Sequence, residues 1–168
     1  MRKDNKMVST ARIARVFSFL ALVCALVPAG SPALAGSGPK SSRGQTVYVP
    51  AYSHVYHGDR EHPFYVAATL SIRNTDLNYS ITIHEVNYYD SKGLLLKKWL
   101  EKPVQIAPQS SEEYIVKESD KRGGFGAHFI VHWKSGHEVS PPLMECVIIG
   151  TSGQQGISFS TRGLTIKE

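Results

Sequence analysis

Phe64-Tyr65-Val66-Ala67-Ala68-Thr69-Leu70-Ser71-Ile72-Arg73 is the stretch that decides the fold. Phe64, Val66, Ala68, Leu70 and Ile72 fall on one parity, and Tyr65, Ala67, Thr69, Ser71 and Arg73 on the other. A period of two places the first set on one face of a β-strand, toward a core. Asn74-Thr75-Asp76 follows, with side chains that bond the local backbone and turn the chain.

The same period holds from Gln45 onward. Residues 79–89 read as a strand whose apolar phase changes: Ile81 and Ile83 share one parity, Val86 and Tyr88 the other. That switch predicts a β-bulge near His84-Glu85. Asp90-Ser91-Lys92-Gly93 predicts a hairpin turn with glycine at positive φ, and residues 94–100 the returning strand. Pro103 and Pro108 bracket a short extended piece suited to a sheet edge. Further strands fall at residues 113–117, at Phe129, Val131 and Trp133, at residues 143–149, and at Ile157 and Phe159. A tail with Leu164 and Ile166 suits an edge. Ser135-Gly136 reads as a turn. The pattern is about eight short strands without a convincing helix after the start. It predicts an all-β, immunoglobulin-like antiparallel β-sandwich.

Residues 1–35 read as a cleavable signal helix. Arg2, Lys3, Lys6, Arg12 and Arg15 precede an apolar run of about 12 residues, short of the roughly 20 that span a membrane. Ala33-Leu34-Ala35 before Gly36 has the small-x-small form of a signal-peptidase site. A lipoprotein signal through Cys24 fits less well, because Val23 stands where a small residue is needed. The expected organisation is a signal peptide over 1–35, a flexible lead-in over 36–44 and a single β-sandwich domain over 45–168. The expected location is periplasmic or secreted, with no membrane span in the mature chain.

Cleavage alters the charge and thiol inventory. Residues 1–35 hold five of the 19 Lys and Arg and one of the 14 Asp and Glu, leaving 14 bases against 13 acids. The basic balance thus belongs to the signal, and nucleic acid is not an expected partner. Cys24 leaves with the signal, so Cys146 stays without a partner for an internal disulfide.

The strongest candidate for chemistry is the segment carrying His54, His57, Asp59 and His62, whose imidazoles and carboxylate suit zinc or copper. Residues three apart on a strand face opposite ways, so His54 and His57 converge only if the chain bends at Gly58-Asp59. His128 and His132 share a strand face about 13 Å apart, too far to chelate one metal directly. Gly123-Gly124-Phe125-Gly126 precedes a strand rather than a helix, so it reads as a tight connection and not a phosphate cradle. No Gly-x-Ser-x-Gly elbow is present. Cys146 lies in an apolar segment that suits a buried, inert thiol. Eight tyrosines (Tyr48, Tyr52, Tyr56, Tyr65, Tyr79, Tyr88, Tyr89 and Tyr114) offer rings for sheet packing or for recognition of carbohydrate or protein.

Several strings occur in order: YVPAYSHVYHGD from Tyr48, TLSIRNTD from Thr69, VNYYDSKG from Val86, GGFGAHFIVHW from Gly123 and QGISFSTRG from Gln155. Together they resemble the bacterial secreted family known as domain of unknown function 3124. The resemblance implies export and no particular reaction. A strand ending in Arg-Asn-Thr, then Ile-x-Ile, then Tyr-Tyr-Asp-x-x-Gly is similar to immunoglobulin-like accessory domains of bacterial envelope proteins, a likeness of fold and not of function. The expected function is a non-catalytic binding or interaction module of the cell envelope without cofactor, meeting a protein or small ligand. The alternative is a zinc- or copper-binding periplasmic protein using His54, His57, Asp59 and His62. A hydrolase of unrecognised type, supported only by the odd thiol of Cys146 and the seven histidines, is a third reading.

Overall fold

The computed structural model describes residues 40–152 and 155–168. The expected signal over 1–35 lies outside them, as do residues 36–39 of the lead-in. Every regular element among the described residues is a strand: β1 (Ser42–Pro50), β2 (His54–His57), β3 (His62–Tyr65), β4 (Ala67–Arg73), β5 (Ile81–Tyr89), β6 (Leu95–Lys98), β7 (Val104–Ile106), β8 (Ser111–Val116), β9 (His128–Val139), β10 (Leu143–Ser152), β11 (Gln155–Arg162) and β12 (Leu164–Lys167). All pairings are antiparallel. One sheet has six strands in the order β12-β1-β9-β5-β6, with β7 also on β5; a second runs β11-β10-β4-β8; β2 and β3 form a separate hairpin.

The period-two parity is what buries these sheets. Val49, Ile81, Ile83, Val86, Phe129, Val131 and Trp133 from the six-stranded sheet are fully buried. They join Ala68, Leu70, Ile72, Cys146 and Ile148 from the four-stranded sheet in one cluster. Each buried Val, Leu, Ile or Phe side chain among them contributes roughly 1.5–3 kcal/mol of transfer free energy. Asn74, also buried, ties the end of β4 to neighbouring turns. Its Nδ2 lies 2.9–3.2 Å from the carbonyls of Tyr79, Ala107 and Ile106, and its Oδ1 accepts from the Asp76 N–H at 3.1 Å.

The bulge falls where the phase switch places it. Ile83 pairs with Trp133 and Glu85 with His132, so His84 is left over. The β5–β6 hairpin also forms as expected, with Gly93 at φ 81°.

Three expectations change. The opening stretch is two strands rather than one. The chain leaves the β2–β3 hairpin at Val66, whose N–H donates to the Ser53 carbonyl at 3.1 Å, and enters β4. Ser135-Gly136 is not a turn: β9 continues to Val139, and the extra residues are taken up as a register shift opposite Ser42 and Gly44. The Ser135 hydroxyl donates to the Ser80 carbonyl at 3.1 Å and anchors that irregularity. Finally, β1 begins at Ser42, inside the expected lead-in, because Gly44 packs against the β9 backbone where a Cβ would come within 2.8 Å of the Trp133 carbonyl.

Candidate functional site

The histidine segment forms the β2–β3 hairpin. His57 pairs directly with His62, and their ring centroids are 6.1 Å apart. The loop between them closes through Gly58 at φ 68° and Glu61 at φ 53°, with the Glu61 N–H donating to the Gly58 carbonyl at 3.1 Å. Asp59 sits exposed in that loop. His54 pairs instead with Tyr65, and its ring packs at 5.0 Å from Tyr56 and 6.1 Å from Tyr65. The structure thus brings His57 and His62 together and keeps His54 in an aromatic group. Among the described residues no three His, Cys, Asp or Glu side chains converge where they could hold a metal ion.

That aromatic group extends into an exposed surface. Tyr56 and Phe125 are 54% and 51% exposed and stack at 6.0 Å. Tyr52 backs them, with its ring 5.0 Å from Phe125 and 5.5 Å from Phe159. The Lys121 ammonium lies 4.0 Å over the Tyr65 ring. Phe125 reaches this position because two serines clamp the glycine-rich connection. Ser53 Oγ accepts from the Gly124 N–H at 2.8 Å, while Ser91 Oγ donates to the Gly123 carbonyl at 3.0 Å and accepts from the Gly126 N–H at 2.9 Å. Gly124 has φ 81°, and a Cβ there would strike the Ser91 hydroxyl. The glycines therefore serve a tight β-connection. Phe125 escaped the sequence reading because its ring partners are about 70 residues away along the chain.

His128 and His132 share the outer face of the six-stranded sheet. His128 is sandwiched between Tyr48 at 4.5 Å and Tyr89 at 5.3 Å. His132 lies 5.6 Å from His84, which the bulge re-aims onto this face. Burial, followed by the neighbouring His84 and Lys134 charges, holds His132 below the usual imidazole range. Cys146 is fully buried, and burial pushes its thiol up to about 12. A thiol so far from ionisation is no nucleophile at neutral pH.

The family model described as "Protein of unknown function (DUF3124)" matches residues 44–166. The chain belongs to the DUF3124 family. The match begins within β1 and ends within β12, so the DUF3124 region takes in the clamped glycine connection, the histidine hairpin and both larger sheets. No curated protein matches this DUF3124 chain. Among solved structures, the crystal structure of Thermotoga maritima 1070 is similar at 13% identity with a TM-score of 0.43, over 74% of this chain and 94% of that one.

On the DUF3124 surface, Tyr56 and Phe125 present exposed rings, while Cys146 is buried in the core. Tyrosine and phenylalanine in such positions bury large rigid areas at low entropic cost.

Proposed function

We propose that this DUF3124 protein is exported. Its mature part is a non-catalytic binding or interaction module of the bacterial cell envelope, with immunoglobulin-like sandwich character. The basic start, apolar run and Ala33-Leu34-Ala35 sequence support export. The strand pairs β4–β8 and β5–β9 support the fold type, since they interlock as strands B–E and C–F do in immunoglobulin domains. The outer strands are exchanged relative to that fold: β1 lies beside β9, and β10 beside β4.

The observation that carries the binding role is the half-exposed Tyr56–Phe125 stack, held in place by the Ser53 and Ser91 clamps. Photo-crosslinkers placed at Tyr56 or Phe125 in producing cells should give discrete adducts in the envelope fraction. A crosslinker at Glu138, at the other end of the 12-residue β9, should give none. Equal labelling at all three positions contradicts the reading.

The facing pair His57 and His62 favours one alternative, zinc or copper held on the hairpin with Asp59 or His54 completing the set. Elemental analysis of the purified protein tests it, and absence of stoichiometric metal rejects it.

A further inference from the structure

A cleft of about 560 Å³ opens between β6, an outer strand of the six-stranded sheet, and β8, the outer strand of the four-stranded one. That size falls within the range of small-ligand sites. Lys97, Lys117, Lys121 and Arg122 line it, against the single carboxylate of Asp120. Asp120 is committed to Arg122 at 2.7 Å, while the three lysines make no ion pair among the described residues. Residues 36–168 carry 14 Lys and Arg against 13 Asp and Glu, so a surplus of positive charge in one cleft, even with the Lys121 ammonium drawn over the Tyr65 ring, is a concentration and not a background.

A second observation is independent of charge. Tyr88 lines the same cleft and is 1% exposed, yet its hydroxyl has no hydrogen-bond partner among the described residues. Gly123 leaves it room, since a Cβ there would strike that hydroxyl. Buried polar groups are ordinarily satisfied. Trp99 and the half-exposed Ile115 supply an apolar wall, and the Lys97 ammonium lies 4.3 Å over the indole.

We propose that this cleft binds a phosphate-bearing anion. Its oxygens engage the Lys97 and Lys117 ammonium groups and accept from the Tyr88 hydroxyl, and the rest of the molecule lies against Trp99 and Ile115. A phosphate brings up to two charges and three terminal oxygens, which match the unpaired lysines and the orphaned donor better than one carboxylate does. The chemistry is shared by a soluble organic phosphate and by the headgroup of an anionic lipid. The cleft adjoins the Tyr56–Phe125 surface through Lys121, but the proposal does not depend on that surface's binding role.

The test uses the protein recovered from its producing cells. One arm titrates it with pyrophosphate and follows Trp99 fluorescence, with Trp133 constant in the core. The other measures co-sedimentation with phosphatidylglycerol vesicles against phosphatidylcholine vesicles. Saturable binding is expected in at least one arm, weakening several-fold with added salt. The vesicle arm alone assigns a lipid headgroup, and the pyrophosphate arm alone a soluble phosphate. Lys97→Gln with Lys117→Gln, both exposed positions, should weaken binding roughly tenfold without altering the fold. Tyr88→Phe should weaken it by about as much. No binding in either arm overturns the proposal, as does wild-type affinity in either variant.

Discussion

Tyr88→Phe is the most informative single change, because its expected effect on stability is the opposite of the usual one. The Tyr88 ring packs 5.1 Å from Phe129 and 6.2 Å from Trp99, and phenylalanine keeps those contacts. Only the hydroxyl is lost, and it is buried without a partner among the described residues. Leaving such a group unsatisfied costs about 1–3 kcal/mol, so its removal should stabilise the protein by about 1–2 kcal/mol. For a domain of this size that raises Tm by roughly 3–8 °C. Thermal and urea unfolding followed by circular dichroism, in phosphate-free buffer, measure it. Burial also raises the Tyr88 pKa far above its ordinary value. The folded state thus holds this proton more tightly than the unfolded chain, and stability is full below about pH 10 and falls as pH rises beyond it. Tyr88→Phe should remove that part of the alkaline decline. A Tm that drops in the variant would show that the hydroxyl is satisfied in the native state, and would refute the reasoning.

Other consequences are equally direct. Gly123→Ala forces a methyl onto the Tyr88 hydroxyl and should cost about 1–3 kcal/mol in urea unfolding, with partial rescue by Tyr88→Phe in the double variant. Cys146 should stay unlabelled by thiol reagents in the native protein and react fully in denaturant, and prompt native labelling would contradict its burial. His132 has a depressed pKa, so the unfolded chain binds this proton at higher pH than the folded one. Stability should be full above about pH 6.5 and lost as pH falls through the folded pKa. His132→Asn should flatten that acid-side slope, and an unchanged slope counts against the assignment.

Strand parity was readable because burial on one face imposes it. The bulge at His84 showed itself as a phase switch between Ile83 and Val86, and the β5–β6 turn through Gly93. Where a strand changes sheets, as at Val66, parity continues unbroken and hides the break. The Ser135-Gly136 irregularity looked like a turn because composition does not distinguish a bulge from a reversal. Of the four candidate metal ligands, the hairpin register decides which meet, and a one-residue difference in loop closure would have chosen another pair. The cleft was illegible for a different reason. Lys97 comes from one sheet edge, residues 117–122 from the other, and Tyr88 looked like ordinary core. Neither the charge balance of the chain nor any local motif points to that meeting.

We propose that this DUF3124 protein is exported and works by binding rather than through a metal or a nucleophile. Native mass spectrometry of the protein released from its producing cells tests it most directly. A chain beginning near Gly36 with no stoichiometric zinc or copper is expected. A chain that retains residues 1–35, or a mass increased by one tightly held metal ion, would contradict it.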